Sequence, residues 1–345
     1  QLYKINSFEF YRYEDVIRLT TDPAYDQTAF EKHLEIKGNS DHSKLIKMLD
    51  VLNDESSSMD DELFVTYFDK ENIAYWMAFQ LLTGNTDTQN RNVYLYSPQN
   101  SSKWYLWDWD NDGMLRRRER EIINFSDSES WERGVSNYWG NVLFRRCLQT
   151  QSYRDLLDTA MKELYAYMNE ERIQSMMEHY RSVTEKYVWQ MPDRMNVPIT
   201  HDEYEEVLKS IWPEIDENYN YYWESYRKPM PFYIGMPQVV NGSLLLTWDP
   251  SYNFEIENIY YTVELAKDYL FTTTFYRQKN LILPELTMDT LPAGQYFLRV
   301  RATNASGYTQ DAFDYYVTEA GKHYGMLCFY VQPDGSIAED TYEDV

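Results

Sequence analysis

The chain has 345 residues, enough for about two domains, and 43% of them are hydrophobic, which is sufficient for ordinary folded cores. Its formal net charge of −24 disfavours binding to nucleic acid and to anionic lipid, because a surface of that sign repels phosphate groups. No run of about 18 apolar residues occurs, so the sequence predicts no transmembrane helix. No leader-like segment follows Gln1, and we expect any signal segment to lie outside this chain.

The first clear element is a helix over residues 70–83, which Asp69 is suited to cap and Gly84 to end. The positions on its apolar face recur at helical spacing and are Ile73, Trp76, Met77, Gln80 and Leu81. A polar loop over 85–91 leads to a strand over 93–96, and a turn connects it to a returning strand over 103–110. The pattern therefore predicts a helix, a loop and a β-hairpin in direct succession.

Helical periodicity dominates the next part of the chain. Residues 116–130 are charged and irregular, and helices are then predicted over 138–149, 152–168, 170–190 and 201–226. The prolines Pro192, Pro198 and Pro213 are expected to interrupt or bound these helices.

Near residue 230 the helix formers give way to alternating β-branched and aromatic residues with turn signals between them. This change is typical of a small β-sandwich that follows a helical domain. We therefore predict an α+β chain with a first, mostly helical domain over 1–230 and an all-β domain with a C-terminal extension over 231–345.

Several enzyme classes receive no support from the reactive residues. Cys147 and Cys328 lie in apolar stretches of different predicted domains, so we expect two buried free thiols. The five histidines are scattered without zinc-ligand spacing, and no Gly-x-Ser-x-Gly segment occurs. Zinc and serine hydrolases are therefore disfavoured.

Four polar residues around the predicted hairpin follow the order found in protein kinases. Asp87 and Asn92 lie five positions apart in the loop, and Asp108 and Asp110 end the returning strand. In kinases the loop aspartate orients the acceptor hydroxyl, while the asparagine and the aspartate after the hairpin hold Mg²⁺ against the phosphates. Side-chain alternation along a strand predicts that Asp108 and Asp110 share a face. The alternative is that the loop residues only cap turns and the two aspartates are solvated, and the residues alone leave both interpretations open.

The run over residues 81–115 resembles the core signature of the CotH (spore-coat protein H) kinase-like family. It contains a Gly-Asn-x-Asp loop, an Asn-x-Tyr-Leu-Tyr strand and a Lys-Trp strand that runs into Trp-Asp-x-Asp, and residues 2–4 and 33–37 resemble upstream elements of the family. The resemblance implies the large lobe of an atypical protein-kinase-like fold that uses ATP and Mg²⁺ or Mn²⁺ to phosphorylate protein hydroxyls. It assigns catalysis to Asp87 and metal binding to the pair Asp108 and Asp110, without deciding between these two.

Three cations are further candidates for contacts to phosphate or substrate: Arg91, Lys103 and Arg116. Arg116 begins the basic run over 116–120, for which pairing with acidic neighbours is the alternative. The family's small lobe precedes the Leu-Tyr-Lys element, and no glycine-rich loop or Val-Ala-Ile-Lys-like strand occurs before Asp87. We therefore expect the chain to hold the large lobe without most of the small one, and to be inactive in this form if the small lobe is required.

The C-terminal part resembles a fibronectin type III domain. Trp248 corresponds to its core tryptophan and Tyr296 to its tyrosine corner. Such modules occur in bacteria mainly in exported proteins, so we expect an extracellular or cell-surface location in a bacterium.

Two functions follow from these observations. The first is an atypical protein kinase that acts on a surface or coat protein. The second is a catalytically silent cell-surface or spore-coat scaffold that retains the kinase-like fold. The sequence leaves the phosphate acceptor and the oligomeric state open.

Overall fold

The computed structural model describes residues 1–122, 131–319 and 321–340. Within these ranges the chain forms two compact units, of which the first contains residues 1–122 and 133–222 and the second contains residues 131–132, 223–319 and 321–340. The domain boundary placed near residue 230 from the sequence stays a prediction. None of the helices in the described ranges is long and apolar enough to cross a membrane.

The first unit combines helices with one antiparallel sheet of four strands, in the order β2-β1-β3-β4. The strands are β1 (Leu2–Ile5), β2 (Leu34–Ile36), β3 (Val93–Tyr96) and β4 (Tyr105–Asp108). Leu95 and Leu106 are paired on the buried face, whereas Tyr94 and Trp107 are paired on the more exposed face. The predicted hairpin is therefore present, with Val93 opposite Asp108 at its end.

Helices supply most of the remaining structure of the first unit. The α-helices are α1 (Gln27–His33), α2 (Ser43–Leu52), α3 (Lys70–Leu82), α4 (Arg117–Ile122), α5 (Val142–Gln149), α6 (Gln151–Tyr167), α7 (Glu170–Val188) and α8 (His201–Ser225). A π-helix spans Met59–Tyr67, and 3₁₀ turns span Asn111–Gly113, Gly134–Tyr138 and Asp193–Asn196. The mixed helix-and-sheet class expected from the sequence is confirmed.

Helix α3 lies at the centre of this unit because it packs on both α6 and β4. Asp69 caps it as predicted, since its carboxylate accepts a hydrogen bond of 2.8 Å from the backbone N–H of Asn72. Trp76 stacks on Phe144 of α5 with ring centroids 5.3 Å apart. Burial of each such side chain stabilises the fold by about 1.5–3 kcal/mol, so α3 holds the hairpin against the helical core.

Three local predictions were wrong. Residues 138–141 do not belong to α5, which begins at Val142 because Asn141 accepts hydrogen bonds from Leu143 and Phe144 as its N-cap. Residues 117–122 form the short helix α4 instead of irregular chain, while residues 123–130 lie outside the described ranges. Pro213 lies inside α8 and does not interrupt it.

The second unit is built from β-strands. They are β5 (Gln238–Val240), β6 (Ser243–Thr247), β7 (Ile259–Ala266), β8 (Thr274–Leu281), β9 (Glu285–Asp289), β10 (Gly294–Asn304), β11 (Thr309–Asp311), β12 (Tyr315–Thr318), β13 (Gly321–Tyr324), β14 (Met326–Val331) and β15 (Ile337–Glu339). One sheet has the order β5-β6-β9, a second has the order β15-β14-β10-β7-β8 with β11 beside β10, and β12 pairs with β13.

The core of the second unit contains residues from both larger sheets. Leu246 and Trp248 pack in one buried cluster with Val263 and Leu298, which lie on β7 and β10. The hydroxyl of Tyr296 donates a hydrogen bond of 2.7 Å to the carbonyl of Pro292. Sheets in the C-terminal part agree with the prediction of an all-β region. Both cysteines of the chain are free and buried, as predicted.

Candidate functional site

The loop that carries Asp87 follows α3 and begins at Gly84, whose φ of 62° lies in the left-handed region. A side chain at this position would also be strained by contact, because a Cβ would lie 2.8 Å from the amide nitrogen of Asn218. Asn218 itself donates a hydrogen bond of 3.1 Å to the carbonyl of Leu82. One turn earlier on α8, Glu214 accepts a bond of 3.3 Å from the backbone N–H of Arg117. Helix α8 therefore contacts the chain on both sides of the loop–hairpin segment.

Asp87 is partly buried in this loop and has two side-chain partners. The amide nitrogen of Asn92 donates a hydrogen bond of 2.8 Å to Oδ2 of Asp87. The guanidinium of Arg91 lies 3.2 Å from Oδ1, and with side chains 54% and 41% exposed this ion pair contributes at most about 1 kcal/mol. Asn92 has a φ of 57°, a left-handed conformation that asparagine tolerates better than most residues. The structure thus joins the two loop residues predicted to act together.

The electrostatic surroundings of Asp87 favour its protonated form. Burial raises the pKa of its carboxyl group, and the negative charges of Asp112 and Asp110 act in the same direction. The positive charges of Arg91 and Arg120 oppose this shift. A carboxylate whose pKa is raised accepts a proton more readily than an ordinary surface aspartate.

Asp108 ends β4, opposite Val93, the residue that follows Asn92. Although the residue as a whole is exposed, Oδ1 accepts a hydrogen bond of 2.7 Å from the side-chain amide of Gln80. Burial of the carboxyl group raises the pKa of Asp108, and the bond from Gln80 partly offsets this rise. Since cross-strand neighbours lie about 4.5–5.5 Å apart, the register brings Asp108 beside the loop that ends at Asn92.

Asp110 does not follow the strand alternation assumed from the sequence. Strand β4 ends at Asp108, and Asp110 has a φ of 57° where it begins the 3₁₀ turn. The expectation that strand pleating alone makes the two aspartates point the same way is therefore wrong. The charge of Asp110 nevertheless contributes to the raised pKa of Asp87, so the turn returns Asp110 to the neighbourhood of the loop.

A group of three side-chain amides, two of them buried, connects the two parts of the site, and it was not predicted from the sequence. Asn85 donates to Oε1 of Gln80 at 2.9 Å and to the side-chain oxygen of Asn111 at 3.2 Å. Gly113 makes room for this group, since a Cβ there would lie 2.8 Å from Oδ1 of Asn85. The available sequence signal was Gln80 itself, a polar residue on the apolar face of the predicted helix.

The three predicted cationic contacts are placed differently. Arg91 lies at Asp87, as described above. The ammonium group of Lys103 donates to the carbonyls of Phe64 and Phe68. Lys103 lies five positions before Asp108, so in extended chain their backbones are roughly 16 Å apart. Arg116 donates to Glu119 at 2.9 Å. Lys103 and Arg116 are thus engaged in other contacts, and their roles towards phosphate or substrate stay predictions.

An aromatic surface lies beside the site on the exposed face of the sheet. The rings of Tyr96 and Trp107 stack at 4.4 Å, and those of Tyr94 and Trp109 meet edge to face at 5.1 Å. Trp107 and Trp109 are 48% and 43% exposed, and the ammonium of Lys4 lies 5.8 Å from the ring of Trp109. We call these five residues the aromatic face. Exposed rings of this kind can stack on a planar base.

The donor set at the end of the hairpin fits a hard divalent cation. Asp108 and Asp110 offer carboxylate oxygens, and the bond from Asn92 to Asp87 uses the amide nitrogen, not the amide oxygen that a cation would need. Mg²⁺ and Mn²⁺ prefer such oxygen ligands.

A second cluster of metal-ligand side chains in the described residues has another explanation. Glu185, His201 and Glu205 come within 4.8 Å of one another. Arg181 forms ion pairs with both glutamates, so the cluster is an ion-pair network that joins α7 to α8.

Comparison with protein families identifies the first unit. Residues 1–222 match the family model described as CotH kinase protein, a range that contains the loop, the hairpin and α8 up to Tyr222. The class of the protein is therefore kinase-like. The chain belongs to the CotH kinase protein family, and the resemblance found in its sequence is confirmed.

Other comparisons add little. No curated protein matches the chain. Among solved structures it is similar to the twitchin kinase region from C. elegans, described as Fn31-NL-kin-CRD-Ig26, with 21% sequence identity and a TM-score of 0.19. The similarity covers 28% of this chain and 20% of that chain, and at this TM-score it carries no argument about fold or function.

Proposed function

We propose that the chain is an atypical protein kinase that transfers the terminal phosphoryl group of ATP to a hydroxyl group of a protein. The main support for this proposal is the hydrogen bond between the side chains of Asp87 and Asn92 in the loop, next to Asp108 at the end of the hairpin. These residues follow the order that phosphoryl transfer requires in kinases. Membership in the CotH kinase family supports the same reaction class.

Asp87 is the residue that receives the acceptor proton in this proposal. The acceptor oxygen bonds to the terminal phosphorus, the bond from that phosphorus to the bridging oxygen of ADP breaks, and the hydroxyl proton passes to Asp87. Its raised pKa suits this role, since proton transfer is most effective when the pKa of the base approaches the working pH. Asn92 and Arg91 hold the carboxylate in place through Oδ2 and Oδ1.

Asp108, Asp110 and the amide oxygen of Asn92 would hold Mg²⁺ or Mn²⁺. A bound cation there would neutralise charge on the phosphate oxygens, which a surface with a net charge of −24 would otherwise repel. Arg91 and Arg120, whose charges lower the pKa of Asp87, would add positive charge near that carboxylate.

The aromatic face would receive the adenine ring. Trp109 follows Asp108, the last residue of β4, and its exposed ring meets that of Tyr94 at the end of the hairpin. Stacking of a base on an aromatic ring contributes about 1–3 kcal/mol, enough to orient the nucleotide at the edge of the metal site.

The second unit would act as a fibronectin type III-like module outside the catalytic unit. The buried Trp248 and the bond from Tyr296 to Pro292, four residues upstream, support this assignment. We further propose an extracellular or cell-surface location in a bacterium, with a surface or coat protein as the phosphate acceptor.

Incubation of the chain with labelled ATP and Mg²⁺ or Mn²⁺, with a general protein acceptor, tests the proposal. Asp87→Ala should lower kcat by about 100- to 10,000-fold, the usual contribution of a general base. Asp15→Ala is the matched control, because the side chain of Asp15 is fully exposed in a surface ion pair. Equal incorporation of label by the wild type and by Asp87→Ala would refute the kinase and favour the catalytically silent scaffold.

A further inference from the structure

The side chain of Gln80 touches both halves of the candidate site. Its Nε2 donates to Oδ1 of Asp108 at 2.7 Å, while its Oε1 accepts from Nδ2 of Asn85 at 2.9 Å. Asn85 in turn accepts, through its side-chain oxygen, a bond of 3.4 Å from the backbone N–H of Asp87. A continuous path of three hydrogen bonds thus runs from the carboxylate at the hairpin end to the main chain of the catalytic loop.

Gln80 is an unusual residue for its place in α3. The buried residues of this helix are otherwise apolar, and they are Ile73, Ala74, Trp76, Met77, Ala78, Leu81 and Leu82. Gln80 itself is only 1% exposed. An apolar side chain would be the simplest way to fill this position, so the amide needs a reason beyond packing.

The chemistry of the carboxamide supplies that reason. The glutamine side chain offers both a donor and an acceptor on one planar group, and it carries no charge at neutral pH. Glutamate would accept from Asn85 but could not donate to Asp108, and lysine would donate but could not accept. Glutamine at position 80 can therefore donate to the carboxylate of Asp108 and accept from the amide of Asn85 at the same time.

We infer that Gln80 is a positioning residue, whose amide fixes the Asp108 carboxylate relative to the Asp87 loop so that the cation-binding and acceptor-orienting groups keep one geometry. The inference rests on the proposed function, because a fixed geometry of these groups matters only if they act together in phosphoryl transfer. Asn85 completes the link, and Gly113 leaves the space in which Asn85 lies.

Direct measurement of Mn²⁺ binding tests this inference apart from catalysis. Gln80→Met keeps a similar volume but removes both hydrogen bonds, and should weaken Mn²⁺ binding by about 10- to 100-fold, as loss of a group that orients a metal ligand typically does. The matched control is Gln310→Met, since Gln310 is also 1% exposed but lies on β11 of the second unit. It should leave Mn²⁺ binding unchanged.

Kinetics separate a positioning role from a purely structural one. In Gln80→Met the metal concentration that gives half of the maximal rate should rise by the same factor, while KM for the protein acceptor stays constant. A structural role would lower Tm and leave the Mn²⁺ affinity of the folded protein unchanged, and that result would overturn the inference.

A measurement on the wild type covers the case in which Gln80→Met does not fold. The side-chain amide signal of Gln80 in an NMR spectrum should shift when Mg²⁺ is added, and that of Gln310 should not. A Gln80 signal that stays in place at saturating Mg²⁺ would overturn the inference alone. Failure of the wild type to bind either ion would overturn the proposed function together with the inference.

Discussion

Replacement of Gly113 by alanine tests how tightly the amide group is packed. A Cβ at this position would lie 2.8 Å from Oδ1 of Asn85, whereas ordinary contact begins at 3.4 Å, so one of them must move by about 0.6 Å. Asn85 has little freedom to do so, because it is 2% exposed and bonded to Gln80 and Asn111. Such overpacking costs about 1–3 kcal/mol, and loss of one hydrogen bond of Asn85 adds about 1 kcal/mol.

The expected destabilisation of Gly113→Ala is therefore about 2–4 kcal/mol, which corresponds to a decrease in Tm of roughly 5–15 °C for a unit of this size. Thermal unfolding by calorimetry measures it, and Mn²⁺ affinity should fall in parallel because Asn85 supports Gln80. Gly335→Ala is the control, since no atom lies within 4 Å of its Cβ and only the left-handed φ of 84° opposes the change, at about 1–2 kcal/mol. A Tm within 2 °C of the wild type and unchanged Mn²⁺ affinity in Gly113→Ala would refute the reasoning.

Two further predictions concern pH and nucleotide affinity. Burial raises the pKa of Asp314 to about 7, so the folded second unit holds a proton that the unfolded chain releases near pH 4. The contribution of Asp314 to the free energy of unfolding of the second unit should be greatest below pH 4, and it should fall by about 1.4 kcal/mol per pH unit as the pH rises to 7. Asp314→Asn should therefore abolish the difference in Tm between pH 5 and pH 8. Trp107→Ala should raise the Kd for ATP by about 5- to 150-fold through lost stacking, measured by calorimetric titration, with little change in Tm. Tyr315→Ala, at a residue of similar exposure in the second unit, should leave that Kd unchanged, and equal affinities of Trp107→Ala and the wild type would contradict a role of the aromatic face.

Local sequence signals were sufficient to predict the helix, the loop and the first strand around the candidate site. The N-cap at Asp69 and the left-handed stop at Gly84 depend on short-range hydrogen bonds and backbone sterics, which residue types specify directly. The strand Val93–Tyr96 was predicted with its observed bounds, because alternation of buried and exposed side chains marks it clearly. The spacing of Asp87 and Asn92 then placed both residues in one loop, where they bond to each other.

The parts that escaped prediction depend on contacts distant in sequence. Gln80 was assigned to the apolar face of the helix by its spacing. Its hydrogen-bond partners Asp108 and Asn111 follow 28 and 31 residues later, where helical periodicity gives no information about them. Asp110 was assigned by strand alternation, but the left-handed turn at this residue ends the pleat. The carbonyls of Phe64 and Phe68 that hold Lys103 lie in the last turn and at the C-cap of the π-helix, and its role towards phosphate or substrate stays a prediction. Periodicity and spacing do not encode such partners.

The contacts of α8 have a consequence for the order in which the chain matures during synthesis. Glu214 and Asn218 bond to the main chain at Arg117 and Leu82, so the loop–hairpin segment completes its contacts only after residues about 100 positions further on have been made. At about 5–20 residues per second this interval lasts roughly 5–20 s. During that time the nascent chain already carries Asp87 and Asp108 but lacks the helix that braces their supports. A ribosome-bound chain that stops before residue 214 should therefore hold the loop less firmly than the finished protein does.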